Sequence, residues 1–240
     1  MLAPLRTVLT YILTSLYILI VGPIGLLIVI PFRWKGLLYE LGHAGVALAL
    51  GSAGIRYRVV GREHIPRGRA VVFCANHQSN VDPPVLFQCL NRRLHILYKA
   101  GLRKIPVLGR ALEAGGFVAV HRDNRERAFQ SIEVAAASVR SGNSFLIFPE
   151  GTRSTTDDLL PFKKGGFVMA LASQAPIVPV AISGGRSAMQ RGSWIIRPVN
   201  VTVRIGTPID TAGSSFDNRD QLIREVRGRI EEMLRLGSAY

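Results

Sequence analysis

His77 and Asp82 lie in the run Asn76-His77-Gln78-Ser79-Asn80-Val81-Asp82, directly after an apolar segment at 71–74. An imidazole titrates near neutrality, so His77 can take a proton there; a carboxylate within reach fixes its tautomer and stabilises the imidazolium. Pro83 and Pro84 follow. Proline favours the first helical position, so Asp82 is expected at the N-cap of a helix that starts at Pro83. Residues 77–81 then form a short loop at the C-terminal end of a strand, the edge where open α/β sheets carry their sites. Such a loop can curl Asp82 back toward the His77 ring. The plainer alternative leaves Asp82 as a helix cap and His77 as a surface loop residue. A second cluster, Phe148-Pro149-Glu150-Gly151-Thr152-Arg153-Ser154, also follows an apolar segment, at 145–148. Gly151 lets backbone approach a ligand closely, and Arg153 offers a planar fork suited to phosphate. As an ordinary turn, the same residues would hold a solvated charge pair.

Both clusters need strands to present them. Short β-branched or aromatic runs occur at 55–60, 71–74, 94–98, 117–120, 145–148, 177–182 and 199–205. A helix is expected over 124–141, with Asp123 and Glu126 at capping-box spacing, Gly142 beyond its end, and Ile132, Ala135, Ala136 and Val139 on its apolar face. Another is expected over 218–236, with Ile223, Val226, Ile230 and Leu234 as its buried stripe. Strands alternating with helices predict an α/β fold, a mostly parallel sheet flanked by helices.

An N-terminal hydrophobic helical segment precedes this pattern as a membrane anchor. Residues 8–30 hold no charge and as a helix would be long enough to cross a bilayer core. Gly22 and Pro23 are expected to kink or divide it. A second apolar stretch, 37–50, carries Glu40 and His43 and is too short to span. Either one spanning helix with an interfacial one, or a bent pair dipping into a single leaflet, satisfies this pattern. The run ends in Pro31-Phe32-Arg33-Trp34-Lys35 rather than in a small-residue cleavage site, which opposes a cleaved signal peptide. Arg33, Lys35, Arg56 and Arg58 follow it while Arg6 alone precedes it, so the C-terminal domain is expected on the cytoplasmic side of the cell membrane.

A content of 48% hydrophobic residues argues against disorder, and a formal net charge of +14 calls for anionic partners. The basic residues are scattered and form no recognition motif, so nucleic acid is not expected among them. Cys74 and Cys89 lack metal-ligand spacing and are expected as free thiols; His43, His95 and His121 have no partners at ligand spacing, so no metal site is expected.

Taken together, the two clusters resemble the glycerolipid acyltransferase family, and most closely its 1-acylglycerol-3-phosphate acyltransferases. Asn76, His77, Ser79 and Asp82 match that family's Asn-His-x-Ser-x-x-Asp block, and Phe148 through Ser154 match its Phe-Pro-Glu-Gly-Thr-Arg-Ser block without a change. Between them lie Lys99, Ile105-Pro106, Gly109 and the run Gly116 to Arg122; a Val-Pro-Val strand, Val178-Pro179-Val180, comes last. The blocks keep their order over roughly residues 70–185. One departure is Lys99-Ala100-Gly101-Leu102, where relatives often carry Lys-x-Glu-Leu.

The resemblance implies an O-acyltransferase domain over 53–240 after membrane-associated helices over 1–52. It implies transfer of a fatty acyl group from acyl-CoA or acyl carrier protein, as co-substrate and without further cofactor, to the sn-2 hydroxyl of lysophosphatidic acid. The product would be phosphatidic acid for phospholipid biosynthesis. His77 would be the base and Asp82 its orienter. Lys99, Arg122 and Arg153 would surround the acceptor's phosphate, Glu150 would accept a hydrogen bond from its glycerol, and backbone N–H groups at Gly151 and Thr152 would hold the oxyanion. In the alternative reading of Arg122 it is an exposed member of the basic run 121–127. Lys163 and Lys164 would meet the donor's phosphates or the membrane. Membrane phospholipids complete the expected partners. Gly101 keeps another lyso-lipid acceptor, such as a lyso-aminolipid, in play. Acyl exchange between lipids and a silent membrane-binding module are the remaining alternatives.

Overall fold

The computed structural model describes residues 2–90, 93–120, 124–190 and 192–237. Two long helices come first, α1 (Leu2–Phe32) and α2 (Lys35–Ala53). Then follow β1 (Arg56–Val60), β2 (Val72–Ala75), α3 (Asp82–Cys89), β3 (His95–Lys99), α4 (Leu108–Ala114) and β4 (Val118–Val120). The chain continues through α5 (Arg125–Arg140), β5 (Phe145–Ile147), α6 (Gly165–Ser173), β6 (Ile177–Ser183), the short α7 (Gly185–Ala188), β7 (Asn200–Ile205) and α8 (Arg219–Arg235).

Each apolar run expected as a strand forms one, and the seven make a single sheet in the order β1-β7-β6-β2-β5-β3-β4. From β6 to β4 neighbouring strands pair in parallel. β7 runs antiparallel to β6, and β1 follows it in parallel. All five strands from β6 to β4 therefore end on one edge, so the loops after β2 and β5, which adjoin in the sheet, are brought side by side.

Alternation along the strands divides the core in two. Phe73 and Ala75 point to one face, with Val85 and Leu86 of α3 and Tyr39 and Leu50 of α2. Val72 and Cys74 point to the other, with Ala135 and Val139 of α5, Phe167 of α6 and Val226 and Ile230 of α8. This is the three-layer arrangement that a buried parallel sheet requires.

Three local expectations change. The helix expected from residue 124 starts at Arg125, and Asn124 caps it by accepting the Arg127 N–H at 2.9 Å; Asp123 lies outside the described residues. In α8 the fully buried stripe is Leu222, Val226 and Ile230, with Ile223 and Leu234 only partly covered. Gly22 and Pro23 do not divide the first helix, which runs unbroken to Phe32. Gly22 instead lets Val107 press against the helix, where a side chain would overlap it.

α1 and α2 pack as an antiparallel pair. Tyr17 lies on Gly45 and Leu41 on Gly25, and the Tyr17 hydroxyl donates to the Leu41 carbonyl at 2.8 Å. Glycine is required there because a Cβ at Gly45 would stand 2.7 Å from the Tyr17 ring. Gly45→Leu should part the two helices at a cost of about 1–3 kcal/mol, read as a lower Tm and faster proteolysis between α1 and α2 in detergent.

Candidate active site

His77 leaves the end of β2 held from both sides. Asn76, wholly buried, extends the ladder toward β6 with its side chain: Oδ1 accepts the Ile182 N–H at 2.7 Å and Nδ2 donates to the Ile182 carbonyl at 3.0 Å. The His77 N–H donates to Glu150 Oε1 at 2.7 Å, and its carbonyl accepts the Ser154 N–H at 2.8 Å. The peptide that carries the imidazole is thus tied to the strands on both sides of β2.

The ring lies 4.3 Å from the Phe148 ring, centroid to centroid, and its Nδ1 is 3.0 Å from Asp82 Oδ2. That oxygen also accepts the N–H groups of Gln78 and Ser79, each at 2.7 Å. An oxygen ringed by donors acts as an acceptor toward the ring, so the proton belongs on Nδ1 and Nε2 is left with its lone pair. Asp82 is fully buried, while the His77 side chain keeps 16% of its surface exposed. The expected cap is corrected: α3 begins at Asp82 itself, and the carboxylate turns back to the preceding loop rather than capping the helix.

Glu150 is also corrected. It is buried, at 2% exposure, and its second oxygen accepts the Leu160 N–H at 2.9 Å. Its contacts position His77 rather than present an acceptor to substrate. Burial raises its pKa, opposed by those two backbone N–H groups. With a folded value above the unfolded one, its contribution to stability is full below the ordinary carboxyl range and declines as pH rises through the raised value.

Gly151 takes φ +70°, and Lys163 crosses it, 2.9 Å from where a Cβ would be. Its N–H donates to the Phe148 carbonyl at 3.0 Å, which removes it from the expected oxyanion pair. Thr152 is exposed, and its N–H has no partner among the described residues. Arg153 is half-buried and makes no ion pair or hydrogen bond among the described residues. Lys99 is exposed at the end of β3 on the same edge. By strand spacing that is about 10 Å from β2. Arg122 lies outside the described residues. Lys164 pairs with Asp220 at 3.3 Å, whereas Lys163 stays exposed beside Gly151. Among the described residues no group of three or more His, Cys, Asp or Glu could hold a metal ion. Cys74 and Cys89 are buried free thiols.

Gly185 is a site residue that sequence reasoning missed. Asp82 Oδ1 has no hydrogen-bond partner among the described residues and faces Gly185, whose Cα leaves no room for a side chain. The signal was available: Gly184-Gly185 directly follows the strand β6. The Ser79 hydroxyl donates to the Met189 carbonyl at 3.0 Å and anchors the loop.

Behind the site, an apolar cavity of about 370 Å³ runs between α1, α2 and the α3–α4 region. Tyr17, Leu26, Val46, Phe87 and Phe117 line it, and Pro83, next to Asp82, brings it to the catalytic loop. It can take a hydrocarbon chain and little else.

Comparison with known proteins gives the chain a family. A family model described as Acyltransferase matches residues 56–183. A 1-acyl-sn-glycerol-3-phosphate acyltransferase of Limnanthes douglasii is 30% identical over 207 residues, covering 84% of this chain and 73% of its own length. One of Cocos nucifera is 34% identical over 191 residues, covering 78% of this chain and 61% of its own length. The crystal structure of the 1-acyl-sn-glycerophosphate (LPA) acyltransferase PlsC from Thermotoga maritima is similar with a TM-score of 0.83 at 27% identity, covering 96% of this chain and 95% of that one.

Gly185→Ala should push Asp82 off its position. With a displacement near 1 Å, kcat should fall by tenfold to about a hundredfold with KM little changed, and the overpacking should cost about 1–3 kcal/mol of stability, in steady-state assays alongside thermal melts.

Proposed function

The chain belongs to the acyltransferase family and is an O-acyltransferase, and from that premise we propose that it moves a fatty acyl group from a soluble thioester, acyl-CoA or acyl carrier protein, to the sn-2 hydroxyl of 1-acylglycerol-3-phosphate. The observation that carries this reading is the 3.0 Å contact of His77 Nδ1 with buried Asp82 Oδ2. It leaves Nε2 as a base at the strand edge that also bears Arg153 and Lys99.

Alcohols are very weak acids, so the acceptor hydroxyl needs its proton removed as it attacks. His77 Nε2 takes that proton while the oxygen bonds to the thioester carbonyl carbon. Asp82 steadies the imidazolium that forms. The tetrahedral adduct then expels the sulfur, and the imidazolium returns its proton to the departing thiolate. An ester and a thiol result, no acyl-enzyme is needed, and the chemistry calls for no cofactor beyond the thioester. The Thr152 N–H supports an oxyanion role, worth about 3 kcal/mol for a well-placed donor. Arg153 and Lys99 are the cations for the acceptor's phosphate, and Arg122, two residues past the end of β4, is the third. The apolar cavity supports an acyl-chain role.

The apolar N-terminal helix suggests membrane association, and α1 is long enough to cross a bilayer. Its contacts favour lying in the interface. Thr7 Oγ1 accepts the Ile196 N–H at 2.9 Å and the Tyr11 hydroxyl donates to the Trp194 carbonyl at 2.9 Å, while Gly22 meets Val107 and Val29 is buried. A helix bound to the domain along most of its length would draw exposed loops into hydrocarbon if it spanned. Its outer face, with Leu5, Leu9, Ile12, Leu19, Ile24 and Leu27 exposed, is free to enter one leaflet. Arg33 and Lys35 support the cytoplasmic side.

Consumption of acyl-CoA with lysophosphatidate tests this reading. His77→Ala should lose more than about a thousandfold in turnover with its melt unchanged. Arg153→Ala should raise KM for lysophosphatidate roughly tenfold to a hundredfold while leaving KM for the thioester unaltered. Near-native turnover by His77→Ala would refute the base assignment.

A further inference from the structure

A wide concavity lies at the opposite edge of the sheet from His77. It has a volume of about 1140 Å³ and is bounded by residues 70, 144 and 176, which stand at or just before the starts of β2, β5 and β6. Among the described residues four arginines line it, Arg62, Arg67, Arg69 and Arg140, with Glu40 as the one acidic residue. Their own contacts leave donors to spare. Arg62 gives one N–H to the Cys89 carbonyl at 3.3 Å, and Arg140 gives one to the Ala172 carbonyl at 2.9 Å. Arg69 stands 4.0 Å from Asp210 at the exposed rim, and Arg67 has no partner among the described residues. Guanidinium groups stay charged at any physiological pH and pair in a fork with phosphate oxygens.

A thioester held there could not react. Residues 70 and 77 stand at opposite ends of β2, roughly 20 Å apart at about 3.3 Å per residue. The ligand is therefore neither acceptor nor donor in transit. The cleft's position suggests its source. Glu40 and His43 of α2 line it, and α2 starts at the same turn that exposes Phe32 and Trp34. The cleft thus opens at the end of the molecule where the anchoring helices turn.

We propose that this arginine cleft binds the phosphate of an anionic phospholipid headgroup, as a lipid site separate from the catalytic one. The proposal rests on membrane association alone and not on the acyl-transfer reading.

The test uses the full chain with Arg67, Arg69 and Arg140 all changed to Gln. Its control removes equal charge from α8 through Arg224, Arg229 and Arg235, all exposed, outside the cleft's lining, and to be changed to Gln. Binding is measured by co-sedimentation with phosphatidylcholine vesicles with and without phosphatidylglycerol. The cleft variant should lose at least about tenfold in affinity for the phosphatidylglycerol vesicles, and the control much less, because charges beyond a Debye length of about 10 Å contribute little. Both should match the native chain on phosphatidylcholine alone, and both should keep native turnover on detergent-dispersed substrate. Equal losses in the two variants, or none in either, would overturn the site. If inorganic pyrophosphate binds the native chain and not the cleft variant while vesicle binding is unchanged, the phosphate is a soluble one and the lipid assignment fails.

Discussion

Asp82 Oδ2 gathers three N–H groups within 3.0 Å, two from the backbone of residues 78 and 79 and one from the His77 ring. Those two amides hold the carboxylate by a means independent of the imidazole, so the acid's position does not depend on the ring. A carboxylate buried without such donors would meet a large desolvation cost and take up a proton. For Asp82, at 0% exposure, the two amides offset part of that cost, and the carboxylate faces the imidazolium when it forms. The site's other geometry serves that contact: Gly185 leaves room for Oδ1, Asn76 and Glu150 hold the His77 peptide, and Phe148 supports the ring's face.

The motif loop after β5 therefore does two jobs that the sequence shows as one. Glu150 faces inward and ties the loop to His77 and Leu160, while Arg153, three residues on, is left facing outward with its donors available. Inward and outward roles alternate over a few residues because Gly151, at φ +70°, reverses the chain between them. The same loop thereby aligns the base and offers the cation that an anionic acceptor would meet.

Much of this could be read from the chain itself. Each strand announced itself by a β-branched or aromatic run, and alternation with helices implied the parallel sheet. His77, Asp82 and the Phe148–Ser154 loop stood out by residue type and spacing. What could not be read were contacts that depend on neighbours distant in sequence. The inward turn of Glu150 follows from the adjacency of β2 and β5, seventy-three residues apart at that contact. The role of Gly185 follows from β6 lying on the other side of β2, and the Asn76 amide pairs with Ile182 for the same reason. Gly22-Pro23 looked like a break in the first helix, yet Val107, far along the chain, packs there and the helix continues. Local propensity gives way to tertiary packing where a neighbour fills the space that a glycine leaves.

The central claim concerns one proton. In its neutral form the His77 ring should carry it on Nδ1, donated to Asp82, with Nε2 bare toward the cleft. Long-range proton–nitrogen correlation spectra of the ¹⁵N-histidine-labelled chain, with His77 assigned by its Gln variant, distinguish the two tautomers directly. The account predicts a pyrrole-type shift for Nδ1 and a pyridine-type shift for Nε2. The reverse assignment, with the proton on Nε2, would contradict it, because the ring could then neither donate to Asp82 nor accept a proton from an incoming hydroxyl.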